Sequence, residues 1–444
     1  MNALAKKKQY LQDCRKDLEQ AQQSGDPKAV SQALADYAYA LSINQERDQA
    51  MEFFDRAEKL AGTEVEDLNV LGHIYGLRSL VYQEGKRLPD AYQTSTKMLL
   101  VAREENNVPI EIDAVANQAQ ILLDSGDVEG SFRKFREAEN LAGAIGEDHR
   151  LMRIKGALAN LSLSIPSLDQ AADYYQQALE LARKVGDQEA EVGFLGNLGS
   201  VYAWQGNHRE AVQAFEEILP AYQERGDKEK LVQLLGKLVR SCTSLEEDHK
   251  VLEYAFQGID LLEDQQDDVI FDFLEAVILA YFRQEKIQEA QNMIADAITI
   301  ARSAEDKDRE VEFLINLGES FLASEMLERA LETYRKALEE AQGLDQVHFQ
   351  AYLNGRLGYT LAELGKLQDA VSYHQRAIQM AEQHHLSELA GNQHSMLAVT
   401  YRELGEIDQA VSHGEQALEI YQQIDQAAEA RKVQDLLEGI QAAS

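Results

Sequence analysis

Leu195-Gly196-Asn197-Leu198-Gly199-Ser200-Val201-Tyr202, then Gly206-Asn207, then Glu210-Ala211-Val212-Gln213-Ala214-Phe215, is the stretch that decides the fold. Gly199 and Tyr202 stand three residues apart, and Ala211 and Phe215 four apart, so each pair shares one face of an α-helix. Gly206 lies between the two faces, where glycine suits the left-handed residue that ends a helix. The stretch reads as helix A, a tight turn and helix B.

The same pattern returns on both sides of Ala211. A small residue, usually alanine, occupies Ala50, Ala91, Ser131, Ala171, Ala211, Ala290, Ala330, Ala370 and Ala410. The steps are 40 or 41, with one double step of 79 that a unit centred on Val251 must fill. Four residues on come mostly large rings, at Phe54, Phe135, Tyr175, Phe215 and Tyr334. Twelve residues before each alanine, Ala38, Ser79, Ala119, Ala159, Gly199, Ile278, Gly318, Gly358 and Ala398 mark helix A. A turn glycine recurs at Gly85, Gly126, Gly206, Gly365 and Gly405, with Pro166 in the matching slot of the fourth unit. Small residues let the two helices approach, and the rings fill the space between them. Such units bury their apolar faces against one another, which predicts an all-α solenoid.

Ten units are expected over residues 31–430, starting near 31, 72, 112, 152, 192, 230, 271, 311, 351 and 391. Residues 1–30 are expected to form an N-terminal capping helix, an orphan helix B, with Asp26 as N-cap and Pro27 in the first turn of the next helix. Residues 431–444 are expected to belong to a C-terminal capping helix, so that the array is complete and carries no catalytic domain. The sixth unit looks irregular. There Leu235-Gly236 falls about three residues too early for Val251, which predicts a longer A–B turn over Thr243 to His249.

Composition agrees with helix throughout: 444 residues contain only 5 prolines and 7% aromatics, against 45% apolar residues. With 43 Lys+Arg and 77 Asp+Glu the net charge is −34, which argues against binding nucleic acid or an anionic membrane surface. The acidity is densest around Glu246, Glu247, Asp248, Asp260, Glu263, Asp264, Asp267 and Asp268, a patch that suits a basic partner. Cys14 and Cys242 cannot build a disulfide framework, no apolar segment resembles a leader or a membrane span, and a cytoplasmic location is expected. Homo-oligomerisation stays open, since Lys6, Lys7, Lys8, Arg15 and Lys16 could meet an acidic surface of another copy.

The quoted stretch resembles the tetratricopeptide repeat, as do Leu314-Ile315-Asn316-Leu317-Gly318 with Ala330 and Tyr334, and Arg356-Leu357-Gly358 with Ala370 and Ala377. The unit here is 40 residues rather than the usual ~34, and lacks the closing proline. Six extra residues at ~1.5 Å each imply helices longer by about 9 Å in total. The long unit is similar to those of kinesin light chains, Leu-Gly-Asn-type adaptors and bacterial regulatory arms.

The resemblance implies an all-α, right-handed solenoid in which helix A lines a concave groove and the second, fifth, sixth, ninth, twelfth and thirteenth residues of each unit face a ligand. Carried over, these slots include His73, Asn117, Gln120, Arg153, Asn160, Asn197, Ser200, Trp204, Asn316, Glu319, Tyr352, Arg356, Tyr359, Asn392 and Arg402. An asparagine amide both donates to and accepts from a peptide backbone, and an aromatic ring adds apolar area at little entropic cost. Asn160 and Asn197 match two positions of a co-chaperone carboxylate clamp, but Gly156 stands where its lysine is expected.

No Gly-rich phosphate loop, Gly-x-Ser-x-Gly elbow or Cys–His pairing occurs, and His384, His385 and His394 lack metal-ligand spacing. The expectation is a non-enzymatic scaffold, without cofactor or metal, that binds a peptide or helix of a partner protein. The alternatives are a peptide-responsive sensor hinged at the sixth unit, or an assembly factor for a larger, membrane-bound complex.

Overall fold

The computed structural model describes residues 3–65, 67–165, 167–262, 268–344 and 346–443, among which every regular element is helical. The chain divides into two units, Met1–Asp227 and Lys228–Ser444.

The first unit opens with helix Ala3–Ser24 and continues as pairs of helices A and B. They are Pro27–Ile43 with Arg47–Leu60, Leu68–Glu84 with Leu88–Glu104, Val108–Asp124 with Val128–Ile145, Asp148–Ser164 with Leu168–Val185, and Gln188–Trp204 with His208–Arg225. The second unit pairs Lys228–Ser244 with Asp248–Leu262, Val269–Arg283 with Ile287–Ser303, and Lys307–Ala323 with Leu327–Ala341. It goes on with Val347–Glu363 and Leu367–Gln383, then Ser387–Leu404 and Ile407–Gln423, and ends with helix Ala427–Ala443. Each unit is thus an α-solenoid of antiparallel hairpins.

Helix A starts earlier than the apolar stripe alone indicates, at Pro27 rather than 31 and at Leu68 rather than 72. The extra turn is polar and is held by caps rather than by packing. Asp26 accepts from Lys28 N at 3.0 Å with Pro27 in the first turn, and Asp127 and Asp187 accept from Gly130 N and Ala190 N at 2.8 and 3.0 Å. The turns share a left-handed residue. It is glycine at Gly126, Gly206, Gly365 and Gly405, but Gly85 has φ −77° and the left-handed residue of its turn is Lys86 at φ 56°. Pro166 lies outside the described residues.

The sixth hairpin corrects the expected long turn. Its helices end at Ser244 and restart at Asp248, with Glu246 at φ 57°, which is the same spacing as Trp204 to His208 around Gly206. Leu235-Gly236 matches Leu195-Gly196, forty residues before, and not Leu198-Gly199. Leu238 and Val239 fill the latter slots and are buried.

The A/B interface is built as the spacing requires. Ala50, Ala91, Ala171, Ala211, Ala290, Ala330, Ala370 and Ala410 are fully buried, and Phe54, Tyr175, Phe215 and Tyr334 are among the largest fully buried side chains. Each such ring contributes about 1.5–3 kcal/mol of transfer free energy. The small helix A residues are needed for clearance: a Cβ on Gly199 would stand 2.7 Å from Phe215 Cε1. Within each unit helices A of successive hairpins also touch one another, as Leu68–Glu84 touches Pro27–Ile43 and Val108–Asp124. Val347–Glu363 likewise touches Lys307–Ala323 and Ser387–Leu404. The layer of helices A is therefore the crowded one, and its outer face is where neighbouring helices frame grooves.

Candidate functional site

Each unit holds one such groove. In the first, helices A of the second, third and fourth hairpins frame a cavity of about 590 Å³. Leu77, Leu80, Met98, Ile110, Ile112 and Ile154 give it an apolar floor, with His73, Gln83, Asn117, Gln120, Asp113, Arg150 and Arg153 at its edge. Leu80 keeps 38% of its surface exposed, an aliphatic side chain left facing solvent.

Much of that edge is already bonded. Arg150 makes a two-pronged bond to Asp113, both arms 2.9 Å, and a third to Glu147 at 2.9 Å. His73 Nε2 meets Asp36 Oδ1 at 2.9 Å, and Gln120 donates to Asp124 at 3.0 Å. Two groups differ. Asn117 Oδ1 is buried without a hydrogen-bond partner, and Arg153 is exposed with no ion pair among the described residues.

In the second unit, helices A of the eighth, ninth and tenth hairpins frame a cavity of about 690 Å³. Ile315, Phe349, Leu386 and Leu389 make its floor, with Asn316, Tyr352, Asn392, His348, Glu312 and Glu388 around it. Glu319 braces this edge by accepting from Tyr334 Oη at 2.7 Å, from Tyr352 Oη at 3.0 Å and from Arg356. Burial and the Glu319 charge push the Tyr352 hydroxyl up to about 12, so it stays protonated and donates. Arg356 also lies 5.4 Å over the Tyr359 ring. Asn392 accepts from Tyr421 Oη at 2.7 Å.

The remaining candidates lie outside both cavities. Asn160 is exposed but accepts from Tyr175 Oη, which occupies its carbonyl oxygen. Asn197 and Arg402 are exposed, Ser200 donates to Gly196 O at 2.9 Å, and Trp204 is 63% exposed. Of the acidic patch, Asp248 pairs with Arg283 at 3.2 Å and Glu247 with Lys250 at 3.3 Å, while Glu246 is a turn residue. Asp260 and Asp268 are exposed, and Glu263, Asp264 and Asp267 lie outside the described residues.

The slots and the cavities overlap in part: of the fifteen candidates, His73, Asn117, Gln120, Arg153, Asn316, Tyr352 and Asn392 line a cavity. Gly76, Leu77, Leu80 and Gln83 are the fifth, sixth, ninth and twelfth residues of the repeat that starts near 72, and Glu312, Ile315 and Asn316 the second, fifth and sixth of the repeat that starts near 311. Choosing only polar and aromatic occupants of those slots missed the aliphatic floor. Its signal was present in the sequence as Leu, Ile and Phe at positions off the A/B stripe.

Residues 274–443 match the MalT-like TPR region family, and residues 194–225 match a tetratricopeptide repeat family. The apo form of RapI superposes with a TM-score of 0.50 at 13% identity, over 80% of this chain and 98% of that one. The chain is a tetratricopeptide-repeat protein. Outer dynein arm-docking complex subunit 4 of Xenopus laevis is 24% identical to this repeat protein over 340 residues, which cover 71% of this chain and 62% of that protein. The chain therefore spans less than two thirds of the length of that relative. The apo form of the quorum sensor NprR from B. thuringiensis gives a TM-score of 0.40 at 16% identity, over 76% of this chain and 99% of that one. No described helix of this tetratricopeptide-repeat chain is long and apolar enough to cross a membrane.

Proposed function

We propose that the chain is a non-catalytic interaction scaffold whose helices A hold segments of partner proteins. The observation that carries the reading is the pair of grooves: apolar floors with solvent-facing Leu80 and half-buried Phe349, edged by amides and tyrosines. Such a surface rewards an entering side chain with apolar burial, while Asn117 and Asn316 serve a peptide backbone. Asn197, Trp204 and Arg402 extend the same helix A face beyond the cavities. The partner is a protein or peptide, met in the cytoplasm.

The long sixth turn that would have favoured a hinged sensor is absent, which leaves that alternative without its motive. Assembly of a larger complex draws support from the relative whose name makes it a subunit of a docking complex.

The test is affinity capture from the source cells with the intact chain, with Leu77→Asp plus Leu80→Asp, and with Phe349→Asp. Proteins retained by the intact chain and lost from a groove variant that still melts cooperatively support the scaffold. Capture that ignores both groove variants, or turnover of a metabolite by the purified chain, ends it.

A further inference from the structure

The two grooves share a floor chemistry but differ in charge. In the first, the unpaired edge group is the cation Arg153. In the second, the unpaired groups are two carboxylates: Glu312 and Glu388 are exposed at the cavity, one on the eighth and one on the tenth helix A, and neither forms an ion pair among the described residues. Their field reaches neighbouring groups. Burial raises the Glu275 carboxyl, and Asp272 and Glu312 raise it further against the opposing Arg309. Burial likewise holds the Tyr421 hydroxyl up at about 12, with Glu429 and Glu388 adding to it. The same cavity is lined by Ile315, Phe349 and Leu389, with Phe349 on the ninth helix A, between the two that carry the carboxylates.

A ligand for this groove must bury an apolar side chain on that floor and leave the two carboxylates either hydrated or paired. Desolvating them without cations would cost more than the apolar contact returns. We infer that the second-unit groove docks a segment of a partner protein that carries an aliphatic or aromatic residue flanked on both sides by Lys or Arg. The inference rests on the scaffold reading and adds the chemistry of the segment. Opposite charge at the two ends accelerates encounter and fixes the register, while the floor supplies the apolar term.

The probes are two labelled peptides of equal length, one alternating leucine with lysine and one alternating leucine with glutamate, measured by fluorescence anisotropy against the full chain. Because any basic peptide is attracted to a chain of net charge −34, Glu312→Lys with Glu388→Lys is compared with Glu332→Lys with Glu415→Lys, an equal charge change on exposed helix B positions. The expected result is preference for the lysine peptide, weakened roughly tenfold or more by the groove pair and much less by the helix B pair, and falling with salt.

Equal loss in both double variants, or preference for the glutamate peptide, overturns the proposal. If the glutamate peptide binds as well as the lysine peptide and is lost on Phe349→Asp, the groove reading stands and only its basic specificity falls. If no peptide of any charge responds to Phe349→Asp or to Leu80→Asp, the groove reading falls as well. A second copy as occupant would appear as concentration-dependent self-association abolished by Lys6→Glu, Lys7→Glu and Lys8→Glu, and that outcome also overturns it.

Discussion

His394 Nδ1 and His413 Nδ1 lie 2.9 Å apart across the tenth hairpin, so one ring donates and the other accepts, and the contact holds one proton, not two. His413 also stacks on Tyr401 at 5.5 Å with an interplanar angle of 7°, and His394 Nε2 is 3.5 Å from Glu382. Burial lowers both imidazoles, and each proton on His394 further disfavours one on His413.

The sign of the pH effect follows. A histidine whose folded value lies below its unfolded value of ~6.5 leaves the unfolded state binding more protons between the two. Its contribution is complete above about pH 6.5 and is lost as the pH falls through the lowered folded value. Thermal midpoints should therefore decline as the pH falls below about 6.5. His394→Gln with His413→Gln should flatten that decline, whatever it does to the midpoint at neutral pH. Parallel profiles for the parent and the double variant would remove the pair from the account.

Gly199 and Gly193, on the same helix A, should respond in opposite directions to alanine. A Cβ at Gly199 meets Phe215 Cε1 at 2.7 Å, Cδ1 at 2.9 Å and Ala214 Cβ at 3.1 Å, inside the A/B contact. Gly199→Ala should destabilise by about 1–3 kcal/mol through overpacking. A Cβ at Gly193 meets nothing within 4 Å, so Gly193→Ala should gain about 0.5–1 kcal/mol of helix propensity. Urea unfolding distinguishes the two.

Glu310 has no exposed surface on its side chain and receives Arg302 at 2.6 and 2.9 Å and Lys307 at 3.2 Å. Burial alone would raise its carboxyl, but the bonds from Arg302 and Lys307 outweigh that and leave it below its usual value. Glu310→Gln should cost about 1–3 kcal/mol. The contribution is present above the unfolded value of ~4.3 and is lost as the pH falls through the lower folded one. The matching contacts Arg103–Glu111 and Arg183–Glu191, both 2.7 Å, have glutamates that keep 17% and 30% of their side chains exposed where Glu310 keeps none, so Glu111→Gln and Glu191→Gln should each stay within ~1 kcal/mol. Equal costs at all three sites would contradict the distinction.

Trp204, the single tryptophan, is 63% exposed at the end of the fifth helix A. Its emission should be that of a water-exposed indole and should shift to shorter wavelength when a partner segment covers this face. Trp204→Ala should change stability by no more than about 0.5 kcal/mol, yet weaken partner binding by about 2 kcal/mol. Unchanged emission on saturation with a captured partner would place the contact elsewhere on the chain.

The hairpins were legible because their causes are local. Alanine and ring spacing at Ala211 and Phe215 fixes which helix faces meet, and a 40-residue period repeats that instruction until any one weak unit is outvoted. The sixth unit misled because Leu235-Gly236 copies Leu195-Gly196, a local likeness three residues out of register, and only the burial of Leu238 and Val239 restores the count. Gly85 misled in the same way, since a turn needs one left-handed residue but its neighbour Lys86 adopts that role.

What the sequence determined on its own is the repeat, its two-helix unit and the face of helix A turned away from helix B, all set by contacts between residues close in the chain. What the tertiary structure alone decided is which groups on that face remain unpaired. Asn160 and Arg356 are spent on Tyr175 and Glu319, whereas Asn117, Arg153, Glu312 and Glu388 are left over. The physical reason is that a polar side chain's partner comes from another helix, fifteen to forty residues away, and its reach depends on ångström placements that no periodicity encodes.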